Sequence, residues 1–332
     1  MLAALQVAWL RRGPIAWLLL PLTALYALLS GAHRALYRVG LRRAEHLPVP
    51  VVVVGNIVAG GAGKTPVVIA LAQHLRERGV ACGVVSRGHG RRGTECIEVT
   101  PRSDPAEVGD EPLLIASHCG IPVVVGARRA EAVRRLIAAH PETRVVLSDD
   151  GLQHHALARD VEVLVFDERG IGNGWLLPSG PLRERWPRRA DLVVRNEKAQ
   201  GVPGFVVRRR LAADALRADG TRIPLRELAR SPCAAVAGIA RPDAFFDMLR
   251  DAGLQLASTL ALPDHHGFAE PIAGLSATLP LVCTEKDAVK LWKHRPDAWA
   301  VPLVLDIDDA FFGQLDALLK AKLSSLHGSQ AA

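Results

Sequence analysis

Runs of β-branched residues alternate with helical periodicities through most of this chain. Pro48-Val-Pro-Val-Val-Val-Val54 is a continuous apolar stretch of strand length, the pattern of a strand buried on both faces. A glycine-rich segment, Gly55–Thr65, follows. Pro66–Leu75 then carries apolar residues at helical spacing, with the proline in the first turn. Further strand-like runs occur at Pro122–Val125, Arg144–Asp150, Val161–Phe166 and Leu192–Val194, with helical segments between some of them. This alternation predicts a mainly parallel α/β sheet over about 46–203. Phe205–Leu211 and Thr221–Pro224 flank an Ala-Asp-Gly turn and predict a two-stranded connector over 204–229. A second, smaller α/β pattern starts at Cys233 and continues through Phe245–Arg250, Leu281–Thr284 and Leu303–Leu305, placing another domain over 230–325.

The N-terminus has a different pattern. Gly13–Ala32 holds no charge over 20 positions. A helix of that length matches the thickness of a hydrocarbon core. Pro14 suits a first helical turn, whereas Pro21 would kink a continuous helix. Trp9, Trp17 and Tyr26 are interfacial residue types, and Arg34, Arg38, Arg42 and Arg43 suit anionic head groups. A cleaved signal peptide and a buried core helix are weaker readings than a hydrophobic, basic membrane anchor over 1–45. The anchor could be a single span or a kinked helix lying in the interface.

Charge sharpens this division. The 332-residue chain has a formal net charge of +7, and six arginines within the first 44 residues, with no acid among them, account for all but about one of it. The basic excess is therefore not a groove, and aromatic residues are only 5%, so a nucleic-acid partner is not expected. Five cysteines, widely spaced and without a C-x-x-C, argue against a disulfide framework or a thiolate zinc site.

Candidate chemistry begins at the glycine-rich segment. Strand, glycine loop and helix form the setting of a phosphate-binding loop, in which successive N–H groups and the helix N-terminus cradle phosphate oxygens. Val58, Ala59, Gly60, Gly61, Ala62, Gly63, Lys64 and Thr65 form the candidate ATP loop. Lys64 would meet the β- and γ-phosphates, and the Thr65 hydroxyl would ligate Mg²⁺. The first glycine of the usual motif is replaced by Val58. Ala59 stands where partitioning-type ATPases carry an extra lysine, which argues against that class. Downstream, Arg144–Asp150 is an apolar run ending in Asp149 and Asp150, the form of a segment that holds Mg²⁺ at a strand end. Gly109-Asp-Glu-Pro112 could simply open a helix. Leu177-Pro-Ser-Gly-Pro-Leu-Arg-Glu184 is a stiff loop that ends in Arg183 and Glu184, either a phosphate clamp or a surface turn with a solvated ion pair.

Together, G-G-A-G-K-T-P, S-R-G, G-D-E-P, D-D-G-L-Q-H, G-N-G-W-L-L-P-x-G-P-L-R-E and T-E-K-D-A-V-K, spread between Val51 and Lys290, resemble the tetraacyldisaccharide 4′-kinase family of lipid A biosynthesis. The resemblance implies a P-loop-type kinase using ATP and Mg²⁺, acting on the 4′-hydroxyl of an acylated glucosamine disaccharide 1-phosphate. It also implies association with the cytoplasmic face of the bacterial inner membrane, without an obligate protein partner. By its motifs, Asp110 is implied as the base, His265 as its partner, and Arg183 as a phosphate contact. Asp149, Asp150 and Glu184 are implied as acids around the metal, and Arg87 as a further active-site residue. If Asp110 and His265 meet, they do so across an interdomain cleft that closes over the site.

A sugar hydroxyl needs orientation, a proton acceptor and neutralisation of the transferred phosphoryl group, and these residue types cover those roles. The main rival is a P-loop GTPase or metallochaperone switch. Asn196-Glu-Lys-Ala-Gln200 and Thr284-Glu-Lys-Asp287 look like guanine-reading motifs but lack their spacing.

Overall fold

The protein is described by a computed structural model covering residues 7, 9–61, 63–199, 201–268 and 278–330. Its first eight strands are β1 (Val51–Gly55), β2 (Cys82–Ser86), β3 (Ile97–Val99), β4 (Val123–Val125), β5 (Val145–Asp149), β6 (Val161–Phe166), β7 (Leu192–Asn196) and β8 (Phe205–Leu211). The rest are β9 (Asp214–Leu216), β10 (Arg222–Pro224), β11 (Cys233–Ala237), β12 (Leu256–Ala261), β13 (Leu281–Thr284), β14 (Trp299–Val301) and β15 (Leu303–Ile307). The helices are α1 (Pro14–Leu18), α2 (Leu20–Arg38), α3 (Lys64–Glu77), α4 (Pro105–Val108), α5 (Asp110–Cys119), α6 (Arg129–Ala139), α7 (Leu225–Leu228), α8 (Pro242–Asp251), α9 (Glu285–Leu291) and α10 (Asp309–Gln330).

One sheet runs β15-β8-β7-β6-β1-β5-β2-β4-β3 and the other β10-β9-β14-β13-β11-β12. The valine run of β1 lies between β5 and β6, parallel to both. Its alternate residues face opposite ways. Val52 and Val54 join α3, α5 and α10 in one core, and Val51 and Val53 join α6 in the other. Both faces are dry, which explains an apolar strand without polar alternation. Loops at the carboxyl ends of β1, β2 and β5 share one edge, the usual ligand side of an open parallel sheet.

Two expectations about domain limits are corrected. Phe205–Leu211 is no connector: it is β8, paired parallel to β7 and antiparallel to β15. Thr221–Pro224 does not pair with it, because β10 pairs with β9 at the edge of the second sheet. Nor does the second domain keep residues 303–325. β15 returns to the first sheet, and Phe311, Leu315 and Leu319 of α10 enter its core. The main chain therefore crosses between sheets twice, at 212–213 and at Pro302, and the crossings are joined by Ala212 N–H donating to Pro302 O at 2.9 Å.

Of the two anchor readings, the membrane span is not supported: no described helix is long and apolar enough to cross a membrane. The uncharged run breaks at Leu19, with Pro21 in the first turn of α2, where a proline costs no intrahelical bond. The continuing helix then takes in His33, Arg34 and Arg38, so its apolar part is short. One side docks on the first domain. Thr23 Oγ1 lies 2.7 Å from Ser179 Oγ, the Tyr26 hydroxyl donates to Arg183 O at 2.9 Å, and Trp17 meets Trp175 edge-on. Ile15, Trp17, Leu18, Leu22, Leu25, Leu28 and Leu29 remain exposed.

Candidate active site

The phosphate loop leaves β1 at Gly55 and enters α3 at Lys64. Gly63 has φ of +73°, a left-handed conformation that favours glycine, and a Cβ there would run into the Arg209 guanidinium from β8. Asn56, fully buried, stiffens the turn by donating to the carbonyls of Val58 and Gly60. Val58 is buried and bridges to Leu182, Ala59 N–H donates to Pro181 O at 2.8 Å, and Arg183 N–H donates to Ile57 O at 2.6 Å. The Pro/Gly-rich loop ending in Arg183 is thus laid along the glycine loop by backbone hydrogen bonds. Arg169, anchored on Asp167, donates to Ala59 O and Gly61 O on the other side. Ala62, expected in the loop, lies outside the described residues.

Lys64 Nζ lies 3.3 Å from Asn56 Oδ1 and 3.4 Å from Asp150 Oδ1. Arg183 Nη1 approaches the same Asp150 oxygen at 3.9 Å and is steadied by Gln153 Oε1 at 3.2 Å. Asp150, at φ +50°, ends the β5 run and is the more exposed of the two acids. Asp149 is 1% exposed, and its Oδ1 has no hydrogen-bond partner. Its Oδ2 accepts from Ser86 Oγ at 3.4 Å. Burial raises its pKa, Glu111 and Asp150 add to this, and Lys64 and Arg129 oppose it. Thr65 is buried in the first turn of α3.

Glu184 does not join these acids. Its carboxylate meets Arg188 at 3.1 Å and Gln153 Nε2 at 3.5 Å. No group of three or more His, Cys, Asp or Glu side chains able to hold a metal forms among the described residues. Arg87, exposed just beyond β2, contributes positive charge that lowers the pKa values of Arg129 and His154.

Asp110 opens α5 behind Gly109, whose φ is +90° and whose missing side chain lets its backbone press against Gly88. His265, from the loop after β12 in the other domain, places Nδ1 3.2 Å from Asp110 Oδ2. The adjacent His266 points elsewhere: its Nδ1 accepts from Phe268 N–H. Lys290 Nζ reaches the same Asp110 oxygen at 2.7 Å. Burial pushes the Asp110 carboxyl up, but hydrogen bonds from His265 and Lys290 outweigh it and hold it below the ordinary range. The carboxylate that the resemblance implies as the base is thus held in its ionised form where the two domains meet. Asn56, Arg169, Arg209 and Lys290 were not singled out from sequence. Lys290 alone had a visible signal, as the last residue of T-E-K-D-A-V-K.

The family described as LpxK, tetraacyldisaccharide-1-P 4′-kinase, matches residues 15–320. A tetraacyldisaccharide 4′-kinase from Acidovorax sp. (strain JS42) is 56% identical over 325 residues, spanning 97% of this chain and 96% of that one. The like-named protein of Delftia acidovorans (strain DSM 14801 / SPH-1) is 53% identical over 321 residues, spanning 96% and 95%. The crystal structure of an "apo" form of LpxK from Aquifex aeolicus in complex with ATP superposes with a TM-score of 0.79 at 27% identity, covering 93% of this chain and 99% of that one. With this similarity running through nearly the whole sequence, the chain belongs to the tetraacyldisaccharide-1-phosphate 4′-kinase family.

Proposed function

We propose that this chain transfers the γ-phosphoryl group of ATP to the 4′-hydroxyl of a tetraacylated glucosamine disaccharide 1-phosphate. What supports this reading is two clusters within electrostatic reach of each other: the loop of Lys64 beside Arg183 and Asp150, and the Asp110–His265 pair contributed by both domains, with buried Asp149 acted on both by Lys64 and by Glu111, the neighbour of Asp110.

The glycine loop and the N-terminus of α3 receive the phosphates, with Lys64 and Arg183 supplying positive charge to the transferred group. Asp110, kept ionised, accepts the sugar hydroxyl proton as the new P–O bond forms and the bond from the γ-phosphorus to the bridging oxygen breaks, with ADP as the leaving group, and His265 orients it. The donor set suits a hard divalent cation: Thr65 offers a hydroxyl, and Asp149 offers a buried carboxylate oxygen without a partner. Mg²⁺ held by these two residues, with Asp150 close by, would neutralise charge on the β- and γ-oxygens. Glu184 serves this set indirectly, through Gln153, which also holds Arg183. The second domain brings His265 to Asp110, so closure of the cleft both assembles the base and shields ATP from water.

The exposed apolar side of α1 and α2, followed by Arg34, Arg38, Arg42 and Arg43, supports a helix lying in the membrane interface at the cytoplasmic face. Its polar side contacts the loop that carries Arg183, so the surface where lipid arrives adjoins the catalytic loop.

Incubation with ATP, Mg²⁺ and a tetraacylated disaccharide 1-phosphate, followed by mass analysis, should show one added phosphate on the sugar. An unmodified lipid in the presence of folded protein overturns the assignment, and equal use of GTP would revive the GTPase rival.

A further inference from the structure

The T-E-K-D-A-V-K segment runs from Thr284 to Lys290. It forms the end of β13 and the first turns of α9. Thr284 Oγ1 caps the helix by accepting from Asp287 N–H at 3.1 Å, and buried Asp287 accepts from Thr284 Oγ1 at 2.6 Å and from Gly238 N–H at 2.9 Å. The helix start is thereby fixed to the end of β11. Lys286 and Lys290, one turn apart, face α5 of the other domain. Lys286 Nζ lies 3.4 Å from Glu111, 3.3 Å from Asp264 and 3.4 Å from His265 Nε2. Lys290 Nζ lies 2.7 Å from Asp110 Oδ2, and both side chains are only 9% exposed.

We propose that Lys290 is a positioning residue of the kinase reaction: it holds Asp110 as a carboxylate, with one oxygen engaged and the other turned toward the acceptor hydroxyl. The proposal rests on the reading of Asp110 as the base. Two donors, Lys290 and His265, converge on Oδ2, and no described donor reaches Oδ1. Lys286 bears on the orientation of His265. The ammonium 3.4 Å from His265 Nε2 suits the tautomer in which that nitrogen accepts and Nδ1–H donates to Asp110. The charged and titratable groups around Asp110 are Glu111 on its own helix, His265 and Asp264 from the loop after β12, Lys286, Asp287 and Lys290 from α9, and His89, whose ring lies 5.3 Å from that of His265. Of these, Lys290 is the cation in direct contact. Without it, burial would favour protonation of the carboxyl, and the base would be lost at a higher pH.

The test is the pH dependence of kcat for Lys290→Met, Lys290→Gln, Lys290→Arg and Asp110→Asn, with each fold checked by thermal melting. For Lys290→Met and Lys290→Gln, the acid limb should move up by about one pH unit or more. At its foot, kcat should fall about tenfold or more, with KM for ATP unchanged. Lys290→Arg, which keeps the charge, should bring the limb back toward wild type. A folded Lys290→Met or Lys290→Gln enzyme with the wild-type acid limb overturns the proposal, as does a defect that Lys290→Arg leaves untouched. If Lys290→Met does not fold, Lys290→Gln, which can still donate a hydrogen bond, decides. Wild-type turnover in Asp110→Asn would instead overturn the base reading. An inactive Asp110→Asn beside an unmoved Lys290→Gln profile would overturn Lys290 alone.

Discussion

Lys64 is the first residue of α3, fixed behind a left-handed glycine and leaning on Asn56 and Asp150. Lys64→Ala removes the loop's own cation, and phosphoryl transfer should fall by at least about 10²-fold while the protein stays folded, as read by product mass and circular dichroism. Near-wild-type turnover would remove the loop from the mechanism. Gly63→Ala should instead cost stability, about 1–3 kcal/mol, because its backbone is strained for an L side chain and its Cβ would displace Arg209. Denaturant melts would show this, and an unchanged midpoint would contradict it. Asp110→Asn should lower kcat by roughly 10²–10⁴-fold with ATP binding nearly unchanged. If His265 acts through Asp110, the double variant with His265→Ala should be no worse than Asp110→Asn alone. Multiplicative losses would show two independent roles, and a larger defect in His266→Ala than in His265→Ala would contradict the observed register.

The α2 helix shows how a single element can serve two surfaces. Thr23 and Tyr26 face the Arg183 loop, whereas Leu22, Leu25, Leu28 and Leu29 face outward. Burying a leucine contributes about 1.5–3 kcal/mol. Leu25→Glu with Leu29→Glu should therefore weaken sedimentation with anionic vesicles about tenfold or more, while leaving the thermal midpoint nearly unchanged. The attachment that remains should be salt-sensitive, since the arginines that follow act through screened charge. Vesicle binding equal to wild type would exclude this helix as the lipid-facing element.

At the scale of the whole molecule, ion pairs between α5 and α9 and at their flanks hold the two domains together. Besides Asp110–Lys290 and Glu111–Lys286, His118 Nδ1 lies 3.1 Å from Glu285, and Lys293 lies 3.3 Å from Asp104. The hydrogen bond to Glu285 raises the His118 pKa above its usual value, against the opposing effect of burial. A raised histidine pKa means that the pair's contribution is complete below the unfolded value near 6.5 and is lost as pH rises through the folded value. His118→Gln should thus lower the melting temperature at pH 6 and have little effect at alkaline pH. The difference should be under about 1 kcal/mol, as expected for an ion pair that keeps some contact with solvent. A gap that widens with pH would contradict the assignment.

How much was legible in the sequence depended on the range of the interactions. The phosphate loop was readable because strand, glycines, lysine and helix are contiguous, so local backbone preference and one helix terminus build it. The same holds for Asp149 and Asp150 at the end of an apolar run, and the parallel sheet followed from alternating periodicities. The motif resemblance carried further, to Asp110 and His265, which lie 155 residues apart and which no local pattern would have joined. What only the tertiary structure decided came from pairings distant in sequence. The segment Leu303–Ile307 reads equally well as a strand of either sheet, and its register with β8 assigns it to the first. The uncharged N-terminal run has the length of a span, but the break at Leu19 and the docking of Thr23 and Tyr26 make it a helix with one protein side and one exposed side. Glu184 looks like a metal ligand by type, yet Arg188, four residues on in the same loop, takes its carboxylate. Lys290 looks like any solvated lysine until α9 is packed against α5. Burial then leaves its charge one good partner, and that partner is the carboxylate expected to take the proton.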